Sequence, residues 1–209
     1  MSKSIPFIPY EKFIKKYPVT STERKEGGYS EVFFGDSYAI KIYPPDISLT
    51  ELSKELNIYN IAEHQCIVKP LAWTYEGAIG YLAMPRGKEL VQAYKDGDIS
   101  LRRIIFDILS AVTYLNEATI AHKDIKTSNI LYFKEDNRCK LIDMGLASFA
   151  LLNDDREYYI TGNAYTVAFR DPEYHDYRRN NIKAEVYAIA TTCAYVESDI
   201  KGWSFDDLG

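Results

Sequence analysis

Apolar positions fall into two regimes along this chain. Between residues 19 and 43 they are β-branched and aromatic, in short runs broken by Gly27-Gly28 and by Gly35-Asp36 and closed by Pro44-Pro45. That pattern predicts three short antiparallel strands. From Ser48 to Ala62, Leu49, Leu52, Leu56, Tyr59 and Ile61 recur at helical spacing, with Ser48 placed to cap the helix. Strand-like runs at 71–75 and 79–84 flank the turn Glu76-Gly77-Ala78. Beyond Pro85 the period lengthens. Residues 100–117 carry Leu101, Ile104, Ile105, Ile108, Leu109, Val112 and Leu115 on one face of a long helix. Short strands are expected at 130–133 and 139–142, then a polar irregular stretch, then a last helix from about Lys183. The expected class is α+β: a β-rich lobe with five strands and one helix, a short connector, and a mainly helical lobe.

Composition narrows the reading. The 209 residues are 46% hydrophobic, enough for a sizeable core in one domain or two small lobes. With 25 basic against 30 acidic residues the net charge is -5, without the basic excess that binding to a phosphate backbone requires, so nucleic acid is not an expected partner. Cys66, Cys139 and Cys193 are far apart, odd in number and without CxxC spacing, which argues against both a disulfide framework and a zinc site and for a reducing compartment. The N-terminus lacks the apolar run of a secretory signal and reads as a lead-in segment. The most apolar stretches, 104–115 and 186–196, are too short to span a bilayer, and the first contains Asp107.

Two stretches carry chemistry. Lys25-Glu26-Gly27-Gly28-Tyr29-Ser30-Glu31-Val32 lies at the first strand turn, where glycines let backbone N–H groups approach a polyphosphate; by itself a Gly-Gly hairpin is more often just a turn. Nine residues past Val32, Lys41 ends the run Tyr38-Ala39-Ile40, within reach of phosphates held under that turn or serving as an edge-strand charge. The second stretch is His122-Lys123-Asp124-Ile125-Lys126-Thr127-Ser128-Asn129, a carboxylate, an ammonium and an amide in one loop; the bland alternative is an Asx-rich turn. Fourteen residues beyond Asn129 comes Asp143 in Asp143-Met144-Gly145. Asn129 and Asp143 offer oxygen ligands, which suit Mg²⁺ better than zinc.

Taken in order, the glycine turn, Ala-Ile-Lys, His-Lys-Asp-x-Lys-x-x-Asn, Asp-Met-Gly and Thr166-Val-Ala-Phe-Arg-Asp-Pro-Glu173 resemble the signature of eukaryotic-type Ser/Thr protein kinases, over about residues 20–196. The resemblance implies a two-lobe fold with an N-lobe at 19–84, a hinge at 85–88 and a shortened C-lobe at 89–209, preceded by a lead-in at 1–18. It implies ATP with Mg²⁺ or Mn²⁺ as cofactors and a protein substrate. Lys41 matches the lysine on the α/β-phosphates, with Glu55 as its helix partner and Glu51 as the rival. Asp124 matches the base that orients the substrate hydroxyl, and Lys126 the lysine that neutralises the transferring phosphoryl. Asn129 and Asp143 match the metal ligands. Gly27, Gly28 and Ser30 match the phosphate loop, Val32, Ala39 and Leu131 the adenine sandwich, Met84 the gatekeeper, and Pro85 and Gly87 the hinge. Lys126 at its spacing favours serine/threonine over tyrosine. Thr161 stands where relatives carry an activating phosphothreonine, with Tyr158, Tyr159 and Tyr165 as rivals, and Lys123 is placed to pair with such a phosphate.

The departures are specific. Lys25 and Ser30 replace glycines of the loop, whose Gly-Gly-Tyr-Ser-x-Val form resembles that of Numb-associated kinases. Met144 replaces a phenylalanine, Asp171 an alanine, and Glu185 an aspartate that braces the catalytic loop. The sequence stops at Gly209, where the family's lower lobe has further helices, as in minimal kinases of viruses and pathogen effectors. Trp203, Phe205 and Leu208, or a partner protein, are expected to cover the last helix, and the same partner is a candidate activator. The expected location is cytoplasmic, in the host if the source is a pathogen. Two other classes compete: a pseudokinase scaffold, against which stands the complete set Lys41, Glu55, Asp124, Asn129 and Asp143, and a small-molecule phosphotransferase, against which stands the 143–173 segment.

Overall fold

A computed structural model describes residues 4–26, 30–45, 48–149, 151–152, 158–159, 169 and 182–201. The chain divides into two compact units, Met1–Glu63 with Val68–Gly87, and His64–Ile67 with Lys88–Gly209.

The first unit is built on a five-stranded antiparallel sheet in the order β1-β2-β3-β5-β4. Its strands are β1 (Arg24–Glu26), β2 (Glu31–Phe34), β3 (Tyr38–Tyr43), β4 (Ala72–Glu76) and β5 (Ile79–Pro85). The expected strands form, and the register Val32↔Lys41, Ala39↔Met84 and Lys41↔Leu82 puts these side chains on one face. Helix α2 (Ser48–Ile61) packs on β3 and β5, and the Ser48 side chain expected as its cap lies outside the described residues.

Residues 4–17, expected as a lead-in, are part of this unit. They form helix α1 (Tyr10–Lys16), which packs on β4, and Phe7 pairs with Trp73 at the sheet edge. Phe13 is 1% exposed and joins Tyr17, Ile40, Ala72 and Ala83 in a core cluster on the opposite side of the sheet from Lys41. Burying such a ring contributes about 2 kcal/mol, enough to seat a helix of two turns that has little stability alone. The sequence concealed it because Pro6, Pro9 and three lysines surround a single strong anchor.

The second unit starts with β6 (Lys88–Glu89) and α3 (Leu90–Lys95). Helix α4 (Leu101–Glu117) follows, capped by the Ser100 hydroxyl, which accepts from Arg103 N–H. Then come β7 (Ile120–Ala121), a 3₁₀ turn at Thr127–Asn129, β8 (Ile130–Phe133) and β9 (Arg138–Leu141). Strands β6, β8 and β9 form one antiparallel sheet. Strand β10 (Ser148–Phe149) pairs with β7, and β11 (Leu151–Leu152) with β12 (Tyr158–Tyr159). Helix α5 (Ile182–Lys201) packs on α4. Glu185, in the first turn of α5, binds the backbone just after α4, whereas Asp199, in its last turn, pairs with Lys95 just before α4 at 2.6 Å. The two helices therefore run antiparallel.

The four residues His64–Ile67, between α2 and β4, belong to this second unit. Ile67 bridges to Leu141, Cys66 C=O accepts Leu141 N–H at 2.8 Å, and the His64 ring stacks on Tyr114 with its Nε2 3.3 Å from Ser110 Oγ. Asp107 sits fully buried in the inner face of α4. Arg103 Nε and Arg138 Nη1 each meet it at 3.0 Å, and Cys139 N–H donates to it at 2.9 Å.

Candidate active site

Each unit carries its own cluster of polar groups. In the first, β3 alternation turns Ala39, Lys41 and Tyr43 to the face covered by α2. Lys41 Nζ lies 2.8 Å from Glu55 Oε2, and both side chains are buried. Glu51, four residues or about one turn earlier on α2, instead pairs with Lys54 at 2.6 Å on a more exposed face. Val32 is half-buried in β2, Ala39 and Met84 are buried, and the Tyr59 hydroxyl points at Met84 Sδ at 3.9 Å. Pro85 ends β5, and Gly87 closes the first unit.

One member of this cluster was not anticipated. Tyr43 donates its hydroxyl to Glu55 Oε2 at 2.5 Å, and Lys41 Nζ stands 5.1 Å from its ring centre. Its signal was present in the sequence: two residues past Lys41 on a strand is the same face. Tyr43 reads as one more aromatic in an apolar run unless that period is followed to the end.

In the second unit the loop after β7 gathers the remaining groups. Asn129 Nδ2 donates to the main-chain oxygen and to Oδ2 of Asp124, both at 2.8 Å, and Lys126 Nζ lies 2.8 Å from the same Oδ2. Asp124 and Asn129 are buried, Lys126 half-buried. Ile142 N–H donates to Asn129 C=O at 2.9 Å, which sets Asp143 beside the Asn129 turn. Asp143 adopts φ +63° and its Oδ1 accepts Gly145 N–H at 3.0 Å. A left-handed conformation at a β-carbon residue is unfavourable and persists where its surroundings hold it, often at functional positions. Lys123, at φ +68°, shares it. Leu131 is half-buried in β8, and Met144 is buried as expected for a packed apolar replacement.

The loop is fixed from below by two buried groups. His122 Nδ1 accepts Asp124 N–H at 3.3 Å, and its Nε2–H donates to Ile142 C=O at 3.2 Å, so the ring is a neutral imidazole. Burial lowers its pKa against the pull of Asp124 and Asp143. Glu185 Oε1 accepts the N–H groups of His122 at 2.6 Å and Lys123 at 3.0 Å, so glutamate spans the gap expected of the shorter aspartate. Among the described residues its Oε2 has no hydrogen-bond partner. Burial pushes the carboxyl up to about 7, opposed by the two N–H groups, and burial likewise lowers Lys123.

The donor set of the second cluster fits a hard divalent cation. The Asn129 amide donates from Nδ2 to Asp124, which leaves its side-chain carbonyl as an oxygen donor of the kind such a cation takes, and the Asp143 carboxylate, which accepts Gly145 N–H, is another. Gly27, Gly28, Thr161, Tyr165, the 166–173 motif apart from Phe169, and Trp203, Phe205 and Leu208 lie outside the described residues, as do the side chains of Tyr158 and Tyr159, while the Phe169 ring lies 6.2 Å from that of Tyr195. No helix among the described residues is long and apolar enough to cross a membrane.

A family model described as the protein kinase domain matches residues 27–203. The chain is 28% identical over 201 residues to wall-associated receptor kinase-like 10 of Arabidopsis thaliana, a match covering 86% of this chain and 26% of that protein. It is 30% identical over 178 residues to calcium-dependent protein kinase 6 of Plasmodium berghei (strain Anka), covering 78% and 12%. It is 27% identical over 198 residues to the hormonally up-regulated neu tumor-associated kinase of Mus musculus, covering 86% and 28%. The chain thus spans between 12% and 28% of the length of these relatives. With the sheet, the Lys41–Glu55 pair and the Asp124–Asn129 loop in the order of the signature, the chain belongs to the protein kinase domain family.

Proposed function

We propose that this chain transfers the γ-phosphoryl group of ATP to a serine or threonine hydroxyl of a protein. The observation that carries the reading is the Asp124 carboxylate, oriented by Asn129 and met by Lys126 at 2.8 Å on a loop braced by Glu185. Phosphoryl transfer asks a protein mainly for positioning and charge neutralisation, and each residue here serves one or the other. Lys41, held by Glu55, takes the α/β-phosphates, and Gly27, Gly28 and Ser30 are the residues of the phosphate loop that the resemblance implies. Val32, Ala39, Leu131 and Met84 offer apolar contact to the adenine, and Pro85 C=O and Gly87 N–H its hydrogen bonds. Asn129 and Asp143 hold Mg²⁺ or Mn²⁺, which supplies positive charge to the phosphate oxygens. Asp124 orients the acceptor hydroxyl and takes its proton, and Lys126 lies beside it to neutralise the transferring group. The bet on serine or threonine rests on Lys126 two residues after Asp124.

Incubation with labelled ATP and Mg²⁺ or Mn²⁺ tests this. Label is expected on the protein itself or on generic substrates, as phosphoserine or phosphothreonine. Asp143→Asn and Lys41→Ala are expected to lower the rate about a hundredfold or more, as loss of a group acting on transition-state charge does. Phosphotyrosine alone refutes the specificity. Absence of both transfer and nucleotide-induced thermal shift refutes the activity and favours a scaffold.

A further inference from the structure

The pair Lys41–Glu55 is one side of a three-membered group. Tyr43 is 3% exposed, Lys41 5% and Glu55 0%, and the Tyr43 hydroxyl and the Lys41 ammonium both donate to the same oxygen, Glu55 Oε2, at 2.5 and 2.8 Å. The ammonium also stands 5.1 Å from the centre of the Tyr43 ring, at the range of a cation–π contact. Tyr43 and Lys41 project from β3, whereas Glu55 projects from α2, so the group ties helix to sheet.

A carboxylate without exposure is strongly unfavourable unless hydrogen-bonded or paired. Were Lys41 the sole donor from the sheet, any turn of its ammonium toward another anion would strip Glu55 of that donor and favour withdrawal of α2 toward water. A phenol on the same oxygen alters this balance, because it donates without carrying charge and without competing for the anion. The ring adds a second effect, since its negative face steadies the ammonium when the carboxylate is shared.

We propose that Tyr43 is a positioning residue whose hydroxyl ties α2 to β3 through Glu55 independently of Lys41, so that the helix keeps its seat when Lys41 turns to nucleotide phosphates. The nucleotide part of this role rests on the kinase reading of Lys41; the tie itself does not.

The test is a thermal-melt cycle on the full chain without nucleotide, with Tyr43→Phe, Lys41→Met and the double variant. Tyr43→Phe keeps the ring and removes the hydroxyl. The midpoint lost by the double variant is expected to exceed the sum of the two single losses, because only there does Glu55 lose both donors from β3. Adding Glu55→Gln to the double variant is expected to recover most of the loss, since an amide carries no buried charge. Additive losses, or a double variant that Glu55→Gln does not improve, overturn the proposal. Should the double variant fail to fold, the same addition decides: a folded triple variant supports the tie, and an unfolded one overturns it. With ATP and Mg²⁺ present, Tyr43→Phe is expected to raise the ATP concentration needed for half the maximal midpoint shift, and an unchanged concentration overturns the nucleotide role. A wild-type chain that shows neither an ATP-induced midpoint shift nor phosphoryl transfer defeats the kinase reading instead, and leaves the result of the cycle standing.

Discussion

Among the described residues, each of the two antiparallel helices of the second unit buries one acidic side chain, and the two are satisfied differently. Asp107, at the seam of α4 and β9, receives two guanidinium groups and a backbone N–H on its two oxygens. Glu185, at the seam of α5 and the loop after β7, receives two backbone N–H groups on Oε1, while Oε2 has no partner among the described residues. Both are at most 3% exposed. The first is compensated by charge and works as a weld between a helix and a strand 31 residues away. The second is held mainly by backbone dipoles, with a lesser pull from the Lys123 ammonium, so burial dominates its ionisation, and it holds the segment that carries Asp124. A buried carboxylate is thus a structural fixture or a group poised near neutrality according to whether a full countercharge came with it.

The largest expected effect is on the weld. Asp107→Ala strands Arg138 and the Cys139 N–H, and is expected to cost about 3 kcal/mol in urea unfolding, at the low end for a broken buried pair because both arginines retain some access to water. A loss under about 1 kcal/mol would dissolve the distinction between the two sites.

The next effect is a pH dependence belonging to Glu185. Its pKa is raised from 4.5 to about 7 in the folded protein, so between these values the native chain binds the proton more tightly than the unfolded one. The stability it contributes is fully present below pH 4.5 and is lost as pH rises through 7, by at most about 3 kcal/mol. Glu185→Gln is expected to remove that part of the slope, read as the difference between wild-type and variant unfolding free energies at pH 5 and pH 8. Parallel profiles would show that Glu185 is ionised throughout and that backbone dipoles suffice.

The smallest is Ser100→Ala, which removes the cap of α4 and is expected to cost about 1 kcal/mol without altering the Glu185 slope. A change in that slope would mean that the two seams are coupled through α4.

Much of the architecture was legible because period and punctuation agreed. The strand run ending at Lys41, the helix carrying Glu55 and the apolar face of α4 each follow from local spacing, and the Lys41–Glu55 pairing was implied by the resemblance, with Glu51 as the rival. What stayed hidden depended on partners distant in sequence. Asp107 reads only as a charge interrupting an apolar helix until Arg138 and Cys139 are brought against it. Helix α1 depends on one buried ring, Phe13, too little for a periodic signal. The brace from Glu185 could be anticipated by resemblance, but its orphan oxygen could not, since hydrogen-bond accounting requires the surroundings.

The assignment of His64–Ile67 to the second unit has a consequence for dissecting the protein genetically. The unit is not a contiguous gene segment: a strand bridge, a backbone hydrogen bond and a ring stack join these four residues to Leu141 and Tyr114. A cut after Gly87 would therefore yield no pair of autonomous modules. The downstream fragment would lack the piece that lies beside β9, the upstream fragment would carry it without its mates, and recovery of the fold would need both polypeptides in the same tube.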